Sequence, residues 1–274
     1  MNAILYKGMD RSQLDAAYDV AGATVNFSAV LTDFEQRSRH SYSSQNWLRD
    51  LNYGTRPRER YDFLTCGIPD APTYVFIHGG YWSSSNKEET AFIAEGPHAH
   101  HMNVVLAEYS LAPHATMTEI VEEIGRLIHH LAADENKLGI AGCPLYLSGH
   151  SAGGHLAAMY RSHPAISGVH MLSAIVDLEP ISLSWLQKKL KLSSKEVMKY
   201  SPLFNANKGA KTLISIGNNE LMELKRHSQE YLAACKEIGE HVKKIIVPGT
   251  NHFTILNDLS HPDGYQMKEF INLL

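Results

Sequence analysis

The chain has 274 residues, 44% of them hydrophobic and 20% charged, with a formal net charge of −4. That balance describes an ordinary globular protein long enough for one large α/β domain; no basic stripe favours nucleic acid, and the apolar runs are too short to span a membrane. Three cysteines (Cys66, Cys143, Cys235) lack metal-ligand spacing and read as reduced thiols, and the stretch Met1 to Asp10 lacks the apolar core of a signal peptide, so a cytoplasmic protein with no metal is expected.

In chain order, residues 1–55 stand apart as an N-terminal arm. They mix helix-like pieces with Tyr18, Phe27, Phe34, Tyr42 and Trp47. Such an arm either walls part of a pocket or serves only as structure. Arg58 to Cys66 is a strand candidate. Thr73-Tyr74-Val75-Phe76-Ile77 is β-rich and apolar, and it ends in His78-Gly79-Gly80-Tyr81-Trp82. Two glycines after a strand let the backbone turn its N–H groups toward a ligand, which is how an oxyanion hole is built. Residues 88–101 read as helix and Met102 to Tyr109 as strand. Over 117–133, Ile120, Val121, Ile124, Leu127, Ile128 and Leu131 fall on one helical face.

The apolar run Pro144-Leu145-Tyr146-Leu147 leads into Gly149-His150-Ser151-Ala152-Gly153. A strand, G-x-S-x-G and a helix form a nucleophile elbow, in which the serine stands clear on a sharp turn. A Cβ at either flanking glycine would collide as the chain doubles back. Helix-like residues 153–160 follow, then a strand-like run over 168–176. Residues 179–207 interrupt the alternation with helical pieces at Ser184 to Leu192 and Ser194 to Tyr200. Loops after parallel strands gather at the strands' C-terminal ends, so this insertion reads as a small cap over the serine. Its Lys188, Lys189 and Lys191 read as a solvated helix face, with steering of an anionic substrate as the functional alternative. A strand at 211–216, a helix at 221–238, a strand at 242–247 and a helix near 263–273 complete the chain. The expected architecture is a mainly parallel sheet flanked by helices, with residues 1–274 as one domain.

A serine hydroxyl needs a base, and the base needs an acid. His252, in the loop after the terminal strand, occupies the position of the base. Glu220, after the strand at 211–216, occupies that of the acid, with Asp177 and Glu223 as competitors. A cap of the next turn is the alternative use of Asp177. Ser151, Glu220 and His252 are thus the expected catalytic residues. The turn Gly79, Gly80 and Tyr81, with Ala152, is expected to supply the oxyanion hole. Tyr81, Trp82 and His150 are expected to touch substrate. Tyr81 and Trp82 would shrink the acyl pocket, or else pack against the arm.

With these motifs the chain resembles the α/β-hydrolase superfamily, and within it the kynurenine formamidase (arylformamidase)-like branch. The likeness rests on His78 to Trp82, on Gly149 to Ala157, on Tyr109-Ser110-Leu111-Ala112-Pro113, on Tyr53-Gly54 and on the Asp10 to Asp19 stretch. It covers nearly the whole chain. The resemblance implies an α/β-hydrolase fold, a Ser–acid–His triad, no cofactor, a homodimer and hydrolysis of a small N-formyl amide. Glu220 departs from it, because an aspartate is more usual at that place. A carboxylesterase for short esters would use the same groups, and a ligand receptor or scaffold on this fold is the reading from another class.

Overall fold

Short, wholly buried runs form the centre of the sheet in this computed structural model, which describes residues 3–135 and 137–274. Met1 and Asn2, the first residues of the stretch expected to lack a leader, lie outside the described residues. The arm contains α1 (Arg11–Ala17), α2 (Phe27–Ser44) and β1 (Leu48–Asn52). Then come β2 (Arg60–Leu64), β3 (Thr73–Ile77), a 3-10 helix (Lys87–Ala94), α3 (Glu95–Ala99), β4 (Asn103–Ala107) and α4 (Met117–Ala133). The strand that leads into Ser151 is β5 (Leu145–His150), followed by α5 (Ala152–Met159) and β6 (Ile166–Leu172). The insertion holds α6 (Glu179–Leu183), α7 (Gln187–Leu190) and α8 (Ser194–Tyr200). β7 (Lys211–Gly217), α9 (Met222–Glu237), β8 (Val242–Val247), α10 (Ile255–Ser260) and α11 (Tyr265–Leu273) finish the fold.

Among the described residues the strands form one eight-stranded sheet in the order β1-β2-β4-β3-β5-β6-β7-β8. β2 runs antiparallel to β1 and β4, and the pairs from β4 to β8 are parallel. Successive side chains on a strand point to opposite faces. So Val75 and Ile77 of β3 enter one core with Leu147, Val169 and Ile214, while Tyr74 and Phe76 enter the other with Leu106 and Leu213. α4, α5 and α9 cover the first face; α2, the 3-10 helix, α10 and α11 cover the second. α4 begins where its sequence says it must: the Thr116 side chain caps it, in a capping box with Glu119.

Some expectations change. β1, within the arm, is an edge strand that the sequence reading does not mark; it is mostly exposed, so its charged sequence LRDLN shows no buried alternation. The 88–101 helix divides into the 3-10 segment and α3, with Pro97 inside α3. The strand expected over 168–176 ends at Leu172. There Ser173 adopts φ +45°, and its N–H donates to the Ser215 carbonyl of β7. No helix among the described residues is long and apolar enough to cross a membrane.

Candidate active site

β5 delivers Ser151 into α5 through a turn at φ 55°, ψ −115°. Few residues other than glycine adopt such angles, and holding one there costs about 1–3 kcal/mol. The neighbours over-determine the turn. The Ser151 N–H donates to the Leu172 carbonyl at 2.8 Å, and the His155 N–H donates to the Ser151 carbonyl at 3.1 Å. A Cβ on Gly149 would overlap the backbone of Gly153, and one on Gly153 would overlap the Ile77 carbonyl of β3. The two flanking glycines therefore let strand, turn and helix approach each other.

After β3, Gly80, Tyr81 and Trp82 all have positive φ, at +102°, +49° and +53°. The Gly80 carbonyl accepts the Ser83 and Ser84 N–H groups, which closes the turn. Among the described residues no acceptor takes the N–H groups of Gly80, Tyr81 or Ala152. Gly79 packs directly on His150 and Ser151. The expected donor residues thus lie around the serine.

β7 and β8 are neighbours, so the loops that follow them meet. The Asn218 and Asn219 N–H groups donate to the Val247 and Thr250 carbonyls at 3.2 and 2.9 Å. A Cβ on Gly217 would come within 2.6 Å of the Thr250 oxygen, so the two loops can close only on a glycine. Glu220 and His252 are brought together as a result. His252 Nδ1 lies 3.0 Å from Glu220 Oε2, and Glu220 Oε1 accepts the Leu221 N–H at 3.1 Å. Burial by itself would raise the Glu220 carboxyl. The charge and hydrogen bond of His252, with the Leu221 N–H, outweigh burial and hold it below its usual range.

Asp177 is placed elsewhere. It accepts the Tyr6 hydroxyl at 2.6 Å and the Glu179 N–H at 3.0 Å, and it faces Arg226 at 3.6 Å. Glu223 pairs with Arg226 and accepts the Tyr18 hydroxyl. Neither competitor is hydrogen-bonded to His252.

Ser151, His252, His150, Gly79, Gly80 and Tyr81 line one cavity of about 1190 Å³. His150 Nε2 donates to the His252 carbonyl at 2.7 Å. Burial, reinforced by the nearby His252 charge, pushes His150 well below the usual histidine range, so it is neutral at physiological pH. The Trp82 side chain is fully buried and is not among the residues that line the cavity. Its indole N–H donates to His155 Nδ1 at 3.2 Å, and the two rings meet edge to face, in a core that also takes Leu14, Tyr18 and Val20 of the arm. Two further wall residues stand outside the expected site set: Phe253, next to His252, and Trp185, which meets Tyr81 edge to face. The arm supplies Tyr18, Asp19, Phe27 and Phe34 to the cavity wall. A histidine followed by an aromatic was the available signal for Phe253; no local pattern marks the others. Lys188, Lys189 and Lys191 stand outside the cavity, and Lys189 ties the insertion to the Ser83 carbonyl. Cys66, Cys143 and Cys235 are free thiols, and no group of three or more His, Cys, Asp and Glu among the described residues could hold a metal.

The BD-FAE family model matches residues 67–168, the span that carries both the His78 turn and the elbow. Kynurenine formamidase of Danio rerio is 28% identical over 276 residues, 93% of this chain and 93% of that protein. The Salmo salar kynurenine formamidase is also 28% identical, over 98% of each chain. Among solved structures, a candidate thioesterase from a Silicibacter species superposes with a TM-score of 0.85 at 23% identity, covering 94% of this chain and 99% of the other. An esterase of Pyrobaculum calidifontis superposes at 0.72 with 17% identity, over 96% of each chain. With its sheet order, its elbow and these likenesses, the chain has an α/β-hydrolase fold and is similar along nearly its whole length to kynurenine formamidases.

Proposed function

We propose that the protein is a serine hydrolase that cleaves the C–N bond of a small N-formyl or other N-acyl amide through an acyl-enzyme. The observation that carries the chemistry is the Glu220–His252 pair at 3.0 Å beside a cavity that Ser151 also lines. Ser151 Oγ attacks the acyl carbon as His252 takes its proton. Glu220 accepts the His252 Nδ1 hydrogen, fixes the tautomer and stabilises the imidazolium. The N–H groups of Gly80, Tyr81 and Ala152 hold the negative oxygen of the tetrahedral intermediate. His252 then returns the proton to the leaving nitrogen. Water, deprotonated by His252, releases formate or a short acid and restores Ser151. His150 and Tyr81, on the cavity wall, contact the substrate.

Amide specificity is supported by sequence likeness to formamidases over more than nine-tenths of the chain. A second reading, hydrolysis of short carboxylic esters, is favoured by a probable isoprenylcysteine methylesterase of rice, 29% identical over 131 residues. The deciding experiment pairs formanilide and acetanilide with phenyl formate and phenyl acetate. Preferential release of formate from the amide, with turnover reduced at least about 10⁴-fold in Ser151→Ala, is the expected result. Turnover of the esters alone would move the protein to the second reading.

A further inference from the structure

His150 precedes Ser151 in the elbow and reaches across to the loop of His252. Its side chain is buried, at 5% exposure, yet it lines the cavity with Ser151 and His252. Nε2 lies 2.7 Å from the His252 carbonyl oxygen. A carbonyl oxygen can only accept, so Nε2 carries a proton. Burial, with the nearby His252 charge, holds the ring well below the usual histidine range, so it carries no second proton. Nδ1 is therefore a bare acceptor, and no donor among the described residues reaches it. The place where a Gly79 Cβ would stand lies 3.1 Å from His150 Nδ1 and 3.3 Å from Ser151 Cβ. Because residue 79 is a glycine, no methyl group fills the gap between that lone pair and the serine. The His150 and His252 rings stand 4.6 Å apart, so the acceptor ring also neighbours the histidine that supplies the proton.

Amides and esters differ at this point. For the C–N bond to break, the nitrogen lone pair must face His252 and receive its proton. The hydrogen already on that nitrogen then points elsewhere and, in a buried site, needs an acceptor. An ester oxygen has no hydrogen to place. We propose that His150 is a specificity-determining residue: its free Nδ1 accepts the N–H of the leaving amide nitrogen in the tetrahedral intermediate. That contact is open to primary and secondary amides and closed to tertiary amides and esters. The hydrogen stays on the nitrogen throughout. His252 supplies the second proton, the C–N electron pair goes to nitrogen, and the amine leaves. The inference deepens the hydrolase reading above and rests on it for the roles of Ser151 and His252.

Two variants separate this contact from the bond that His150 makes to the His252 loop. His150→Gln keeps a donor near Nε2, toward the His252 carbonyl, and lacks the acceptor at Nδ1. His150→Asn keeps an acceptor near Nδ1 and cannot reach that carbonyl. Each is compared with wild type for kcat/KM on formanilide and phenyl formate, with circular dichroism and melting temperature as fold controls. A buried polar group left without its partner forfeits roughly 10- to 10²-fold. The formanilide-to-phenyl formate ratio of kcat/KM should fall by that factor in His150→Gln. In His150→Asn both substrates should slow together, with the ratio within about threefold of wild type. A ratio that holds in His150→Gln, or falls equally in both variants, overturns the proposal. N-methylformanilide, which has no N–H, should be poorer than formanilide in the wild type by at least about tenfold, and equal turnover of the two overturns it. Nitrogen-15 NMR of the full-length wild type tests the ring without turnover. One ring N–H, at Nε2 and absent from His150→Gln, is expected at neutral pH; a proton at Nδ1 overturns the proposal whatever the kinetics. A wild type that cleaves phenyl formate and no formanilide overturns the proposal and the amide reading together and leaves the serine hydrolase standing. One that cleaves neither, with the ring as expected, overturns the hydrolase reading and the proposed contact with it.

Discussion

At the scale of single residues, the two carboxylates that competed for the acid position now have different partners. Glu220 meets His252, and Asp177 meets Tyr6 and Arg226. Glu220→Gln should lower kcat by about 10³- to 10⁴-fold, because an amide cannot stabilise the imidazolium and lets the ring take the wrong tautomer. Asp177→Asn should leave kcat within about twofold and lower the melting temperature, since it weakens a buried charge-assisted bond. Steady-state rates beside thermal melts of both variants check the pair, and the opposite pattern would reassign the acid. The Glu220 carboxyl is held below its ordinary value of 4.5 in the folded chain. A group depressed by folding stabilises the native state above its unfolded value and loses that contribution as pH falls through the folded one. The melting-temperature difference between wild type and Glu220→Gln should therefore be constant above that value and shrink in more acid solution. A difference that stayed level down to about pH 3 would contradict the sign.

At the scale of elements, the elbow is decided by close approach. Gly153 lets α5 cross the end of β3, where the Ile77 carbonyl leaves no room for a methyl group. Gly153→Ala must move a helix or a central strand, so it should destabilise by about 3 kcal/mol or more, the upper range for overpacking. Urea denaturation of a folded fraction measures it. A variant within about 0.5 kcal/mol of wild type would show that the crossing relaxes. This element was legible because its demand is local: G-x-S-x-G names both glycines. β1 was not legible. It is an edge strand whose pairing partner is supplied by β2, eight residues later, so its own sequence carries no core signal. The end of β6 was illegible for a related reason. Past Ser173 the apolar residues run on from Ala174 to Val176 because that loop is buried too, and only the positive φ of Ser173 ends the strand.

At the scale of the whole molecule, the arm is part of the site. The Tyr81 hydroxyl donates to the Tyr18 carbonyl at 2.7 Å, and Phe27 packs on Phe253 at 4.8 Å between ring centres. Tyr6 fastens the arm's start to Asp177 in the body of the fold. Aromatic pairs of this kind contribute about 0.5–1.5 kcal/mol, so Phe27→Ala should raise KM roughly two- to tenfold with kcat little changed. Tyr6→Phe removes a buried bond to a charged acceptor and should cost about 2 kcal/mol in chemical denaturation. An unchanged KM in Phe27→Ala, for an aryl amide that the wild type turns over, would mean that the arm encloses the cavity without touching substrate.

The sequence by itself determined the alternation of strands and helices, the elbow and the turn after β3. Each is written in contiguous residues, through period-2 and period-3.6 burial and through glycines where a Cβ has no space. It also singled out His252, by its place after the last strand, as the candidate base. Only the tertiary structure decided which carboxylate meets that histidine, because Glu220 and Asp177 follow neighbouring strands and their distance to His252 depends on how the loops pack. It alone decided that Trp82 turns into the core, and that a segment more than a hundred residues before Ser151 walls the cavity. Such contacts join residues far apart in the chain, and no local pattern carries the distance between them.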